Sequence, residues 1–165
     1  MEQDILEQLY SQYYSGALLY CLTLCGNHQL AEDIVADAFV KAYLSLPSNV
    51  PSFQYWLCRV CKNLWYDHCR RHKYLAFAET LESLTDFTTP EHIYLIKEQN
   101  LTLWRIITSL PPLDRELLVL HYFSNLPLKE IASIIGKSHA AVRQRIVRLR
   151  AVLKQEMEEQ GYGKH

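Results

Sequence analysis

Apolar residues recur at helical spacing along the stretch Leu128–Leu153 near the end of the chain, with Gly136 interrupting it. The pattern predicts two helices joined by a tight turn. Ala132 is small enough for the helices to cross closely, and Gly136 supplies the backbone freedom that a sharp turn needs. Ser138 offers its hydroxyl as an N-cap for the second helix. There Val142, Ile146, Leu149 and Leu153 form one apolar face, and Ala140, Gln144, Val147 and Ala151 lie opposite. Arg143, Arg145, Arg148 and Lys154 flank that second face, and from Gly136 to Lys154 there are six Lys or Arg and no acid. A helix with one greasy side, one short-chained side and basic flanks suits the DNA major groove.

Similar patterning organises the rest. Residues 5–25 carry a broad apolar stripe that includes Leu6, Leu9, Tyr13, Ala17, Tyr20 and Leu24, predicting a first helix or helix pair that ends at Gly26-Asn27. From Gln29 to Leu46 a helix would bury Ala31, Ile34, Ala38, Ala42 and Leu46, with Val35 and Phe39 beside them. Its other side aligns Asp33, Asp37, Val40 and Leu44, which fits a docking face for a basic helix or, alternatively, a helix buried on both sides. Two prolines and two serines make Leu46–Phe53 a loop. The helix Phe53–Lys73 would turn Leu57, Val60, Cys61, Leu64 and His68 to the core and Arg59, Lys62, Tyr66, Arg70 and Lys73 outward. Interleaved cations and an aromatic suit a sugar-phosphate backbone with an unstacked base.

Periodicity fades from Tyr74 to Glu91, a stretch that is acidic and rich in hydroxyls, so a linker is predicted, with a little helix near Phe77–Leu84. Helix resumes at Pro90 and passes through Leu95, Leu101, Trp104, Ile107 and Leu110 until Pro111-Pro112. Another helix is expected over Asp114–Phe123. The predicted fold class is all-α: two small helical domains, 1–75 and 92–165, joined by a flexible linker at 76–91, with the helix-turn-helix in the second.

Charge sharpens this picture. The 165 residues carry a net charge of only −1, but residues 1–50 hold six acids and one Lys, whereas 53–75 hold five bases and one acid. Such segregation predicts one acidic partner surface and two nucleic-acid surfaces. No apolar run reaches the length of a membrane span, and Met1–Tyr10, with three acids and no base, is unlike a secretory signal. Five cysteines, Cys21, Cys25, Cys58, Cys61 and Cys69, with His68 and His72 nearby, invite a metal reading. In one continuous helix, however, Cys61 and Cys69 stand roughly 12 Å apart along the axis. Zinc ligands must all lie within about 2.3 Å of one ion, so buried, reduced thiols are expected and no metal. A glycine-rich phosphate loop and a Ser-His-Asp set are both lacking.

Taken in order, these signatures resemble the extracytoplasmic-function (ECF) group of bacterial RNA polymerase sigma factors, within the sigma-70 family. The resemblance rests on Ala31-Glu32-Asp33-Ile34-Val35, Phe39-Val40-Lys41-Ala42-Tyr43, Phe53 with Trp56-Leu57, Asn63, Asp67 and Arg70-Arg71 in the first half. In the second it rests on Leu110-Pro111-Pro112, Arg115-Glu116, Leu120 with Tyr122-Phe123, Glu130-Ile131-Ala132 and the helix-turn-helix. Ala36, Ala140-Ala141 and Gln144 stand where the family often has Gln, Gly-Thr and Ser, and the last two departures bear on the −35 sequence preference rather than the role.

The resemblance implies an alternative sigma factor, with no enzyme activity or cofactor of its own, that binds core RNA polymerase in the cytoplasm and directs it to promoters. It implies polymerase binding by Asp33, Asp37, Val40, Lys41 and Leu44. The −10 element would meet Pro47, Ser48, Asn49, Ser52, Phe53, Trp56, Arg59, Lys62, Asn63, Tyr66 and Arg70. The −35 element would meet Ser138, His139, Ala140, Arg143, Gln144 and Arg148, with Arg145 and Lys154 on phosphates. An anti-sigma factor, often membrane-anchored in the family, is an implied partner, and a small-molecule substrate is not. Two other readings remain at this point: a helix-turn-helix regulator that works without polymerase, and a thiol or metal sensor built on Cys58 and Cys61.

Overall fold

The computed structural model describes residues 2–45, 52–72 and 100–161, and all regular structure among them is helical. The helices are α1 (Glu2–Cys25), α2 (His28–Ser45), α3 (Phe53–Arg71), α4 (Leu101–Thr108), α5 (Pro112–Tyr122), α6 (Leu128–Ile135) and α7 (His139–Glu159). They form two compact units, α1–α3 and α4–α7. The expected linker with its short helix, the helix start at Pro90, the loop residues Pro47, Ser48 and Asn49, and Leu46, Lys73 and Leu95 lie outside the described residues.

In the first unit α1 is a single helix, buried almost all round from Ala17 to Cys25 because both α2 and α3 pack on it. Gly26 takes a left-handed φ of 65° and returns its N–H to the Leu22 carbonyl at 2.8 Å, ending α1. Asn27 then accepts from the Leu30 N–H at 2.9 Å, so its side chain caps α2 and the helix begins one residue earlier than periodicity alone suggests. Ser52 caps α3 in the same manner, accepting from the Tyr55 N–H at 3.1 Å.

The buried arc of α3 differs from the expected one. Leu57 and Cys61 are buried as expected, but their companions are Trp56, Cys58 and Trp65, while Val60, Leu64 and His68 are only half-buried. A Trp buries about 150–250 Å² of surface, so Trp65, on the same side as Cys58 and Cys61, outweighs a Val and a Leu in setting the roll of the helix. An aromatic seam ties the three helices together: Tyr10 meets Phe39 at 4.9 Å, Phe39 meets Phe53 at 6.0 Å, and Phe53 meets Trp56 at 5.8 Å between ring centroids.

In the second unit Trp104, Ile107, Leu117, Leu118, Leu120, Ile131, Val142 and Ile146 form the core, with Phe123 edge-on to Trp104 at 5.4 Å. Pro111-Pro112 does separate two helices, yet α5 begins at Pro112 rather than Asp114. Proline suits a first helical position, where its missing N–H would have had no partner. The turn after α6 matches its expected chemistry. Gly136 sits at φ 83° and donates to the Ala132 carbonyl at 2.8 Å, and Ser138 accepts from the Ala141 N–H at 3.1 Å. Among the described residues no helix is long and apolar enough to cross a membrane.

Candidate functional sites

The helix-turn-helix presents α7 in the orientation that its periodicity implies. Val142, Ile146, Leu149 and Leu153 are buried against the unit, leaving His139, Ala140, Arg143, Gln144, Arg148 and Lys154 exposed, with Ser138 exposed just before the helix. Val147 is exposed on the same side. Arg145 behaves differently from its neighbours: it turns back onto α5 and forms an ion pair with Asp114. Further along, Arg150 approaches His121 Nε2 at 3.2 Å, and burial followed by the Arg150 charge lowers the histidine pKa. The guanidinium can only donate, so His121 Nε2 accepts and the imidazole is neutral in this contact.

On α2 the expected stripe faces solvent. Asp33, Asp37, Val40, Lys41 and Leu44 are all exposed, which removes the alternative of a helix buried on both sides. Val40 is 55% exposed, Leu44 72%, and Tyr43, which the stripe at residues 33, 37, 40 and 44 had left out, 67%. Its signal was available, since Tyr43 follows Val40 by three residues and so neighbours it on a helix. Beside the stripe a groove between α1 and α2 is lined by Tyr10, Tyr14, Glu32, Phe39, Val40 and Tyr43 among others. Aliphatic and aromatic surface rimmed by carboxylates is chemically complementary to a partner with apolar anchors and positive charge.

On α3, Arg59, Asn63, Tyr66 and Arg70 reach solvent and Ser52 and Phe53 are half-buried. The expectation that Lys62 shares the open face is corrected: it is only 7% exposed, with its ammonium 5.5 Å from the centre of the Tyr66 ring. A lysine stem packs as hydrocarbon while its head stays near the rim, and here an aromatic face receives it. Trp56, also expected on the open face toward the −10 element, is buried. Arg70 is ion-paired with Asp67, and Arg59 donates to the Tyr55 hydroxyl at 3.3 Å.

Residues 9–74 match the family description "Sigma-70 region 2", and residues 100–153 match "Sigma-70, region 4". The chain is 31% identical over 169 residues to the ECF RNA polymerase sigma factor SigW of Bacillus subtilis, covering 94% of this chain and 90% of that protein. It belongs to the ECF sigma factors.

SigM of the same organism is 29% identical over 90% of this chain and 93% of that protein. Two solved structures share the fold. One is CnrH in complex with the cytosolic domain of CnrY, at 24% identity with a TM-score of 0.55, covering 95% of this chain and 90% of that one. The other is the sigma factor RpoE with the anti-sigma factor NepR from Bartonella quintana, at 20% identity and a TM-score of 0.62, covering 92% and 96%. This ECF sigma factor is thus a transcription regulator that partners core RNA polymerase and promoter DNA and directs promoter-specific initiation.

The thiols of this sigma factor fit packing better than reactivity. Cys21, Cys25, Cys58 and Cys61 are buried. Burial, then a hydrogen bond with Cys61, pushes Cys21 well up, and burial pushes Cys25 up to about 12. Metal ligation and exchange use the thiolate, which these surroundings disfavour. Cys69 is partly exposed, and burial raises its pKa. Iodoacetamide at pH 8 is therefore expected to modify Cys69 in the native protein and the other four only after unfolding, as read by mass spectrometry. A group with a raised folded pKa stabilises the fold fully below its unfolded pKa, because there both states keep the proton. Above that value only the unfolded state loses it, so the stability of the first unit should fall from about pH 9 towards pH 12 in urea melts.

Proposed function

We propose that the chain divides the work of a sigma factor among three faces. Within a first domain of residues 1–75, Asp33, Asp37, Val40, Lys41 and Leu44 of α2 hold the polymerase, with Tyr43 beside them. Ser52, Phe53, Arg59, Asn63, Tyr66 and Arg70, with Pro47, Ser48 and Asn49 ahead of α3, take the −10 element and its melted strand, and the buried Trp56 and Lys62 support that face from beneath. Unstacking a base costs a few kcal/mol, and stacking on an aromatic returns about 1–3 kcal/mol, so a strand opened by the polymerase can be kept open by binding alone. In a second domain of residues 92–165, beyond a linker at 76–91, Ser138, His139, Ala140, Arg143, Gln144 and Arg148 read the −35 duplex and Lys154 meets phosphate.

The observation that carries this reading is the division of α7: four apolar residues sealed in the core and a short-chained, basic side left open. On this reading the protein catalyses nothing itself. It acts in the cytoplasm and is held in check by an anti-sigma factor. Support for that last partner comes from NepR, which accompanies a sigma factor of the same fold.

Transcription with purified core RNA polymerase on genomic fragments tests the proposal. Transcripts starting at discrete sites only when the protein is added are the expected result. Tight duplex binding with no effect on the polymerase would instead make the chain a plain helix-turn-helix regulator.

A further inference from the structure

Arg145 belongs to the basic run of α7, yet it is the cation there that the fold turns inward. Its side chain is 35% exposed, and its Asp114 partner, 31 residues away, only 13%. Asp114 lies in the first turn of α5, where the partial positive charge of the helix end steadies a carboxylate. The next residue on α7, Ile146, is buried in the core, and a small cleft at this place is lined by Asp114, Arg145, Arg148, Leu149 and Val152. The pair therefore bridges α5 and α7 at the edge of the α7 core stripe. Apolar contacts alone tolerate a helix rolling by some degrees, because hydrophobic burial is non-directional. An Arg–carboxylate pair does not, because its hydrogen bonds have a direction.

We propose that Asp114 and Arg145 are positioning residues for promoter recognition: the pair fixes the roll of α7 so that Arg143, Gln144 and Arg148 meet the base edges, and it keeps Arg145 off the phosphates. This rests on the reading of α7 as the −35 helix and replaces the phosphate contact expected of Arg145. Each phosphate neutralised by a cation adds about 0.9 to the slope of log affinity against log salt. The two possible roles of Arg145 thus predict opposite things. As a phosphate ligand, its loss makes the slope shallower. As a partner of Asp114, its loss leaves the slope alone, whereas loss of Asp114 frees a cation and makes the slope steeper.

The experiment uses the full chain bound to core polymerase and a promoter recovered by selection from random duplex DNA, beside the same duplex with its −35 element scrambled. Asp114→Asn should raise affinity for the scrambled duplex roughly 5–10-fold at 0.1 M salt and steepen its salt slope by about 0.9. The preference for the intact element should fall about 10-fold, the scale of one lost bidentate base contact. Arg145→Ala should lose the same preference with an unchanged slope, and the double variant should not show the steepening. Asp114→Glu, which retains the charge, should restore most of the preference. Thermal melts accompany each variant, and a loss of preference in a fully folded variant separates aim from stability.

An Arg145→Ala slope shallower by about 0.9 would overturn the proposal in favour of a direct phosphate contact. A steepening that persists in the double variant would overturn it too, since the freed charge would then not be Arg145. A wild-type holoenzyme indifferent to the scrambled element would overturn the reading of α7 itself, and is distinguished by appearing before any variant is compared.

Discussion

Asp37→Lys combined with Leu44→Glu is expected to weaken binding to core polymerase on the order of 1,000-fold while leaving the fold intact. Two hot-spot residues at about 2 kcal/mol or more each account for a loss of that size. The substitutions should cost the fold little, since both side chains are exposed, Leu44 to 72%, and surface changes usually alter stability within about 0.5 kcal/mol. Their effect on docking comes from two sources. Leu44 supplies apolar area beside Val40 and Tyr43, and a carboxylate there must be desolvated against the partner. Asp37 belongs to a strongly acidic segment, with six acids and one Lys in residues 1–50, and reversing it places like charges against a basic partner. Fluorescence anisotropy with labelled protein and core polymerase measures the loss, and promoter-directed transcription should vanish with it. Wild-type affinity in the double variant would mean that the polymerase docks elsewhere.

Ile146→Ala is expected to have the second large effect, and on the other unit. Ile146 is 1% exposed at the centre of the buried stripe of α7. Removing such a side chain typically costs about 2–5 kcal/mol through lost burial and the cavity left behind. A unit this small has little stability to spare, so most of the second unit should be unfolded at 37 °C. Recognition of the −35 element should disappear, while the first unit, a separate cluster with its own core, keeps its affinity for polymerase. Tryptophan fluorescence reports the two units apart, because Trp56 and Trp65 lie in the first and Trp104 in the core of the second. A variant whose Trp104 signal melts with the wild type would show that α7 is not held by this face.

Parts of the site were legible in the chain because they depend on periodicity. The four buried residues of α7, the caps at Ser138 and Gly136, and the open stripe on α2 follow from 3.6-residue spacing and from backbone chemistry that acts within a few residues. The roll of α3 was not legible in the same way. Its apolar residues surround more than half of the helix, so spacing admitted several arcs, and packing against both α1 and α2 selected the one holding Trp56, Cys58, Cys61 and Trp65. Lys62 went inward with that arc. The α5 start moved from Asp114 to Pro112 for a local reason that a breaker rule obscures, since proline ends one helix and can begin the next.

The sequence by itself determined the helices, the faces of α2 and α7, and the separation of acidic from basic segments, because these arise from near neighbours along the chain. Only the tertiary structure decided which cations remain available. Spacing sets Arg145, three residues after Val142 and four before Leu149, beside the buried stripe of α7, but nothing within a helical turn supplies it with a carboxylate. Asp114, distant in sequence and brought close by the packing of α5 on α7, makes the difference. A charge is neutralised by what lies within a few ångströms in space, and one-dimensional periodicity records only what lies within a few residues.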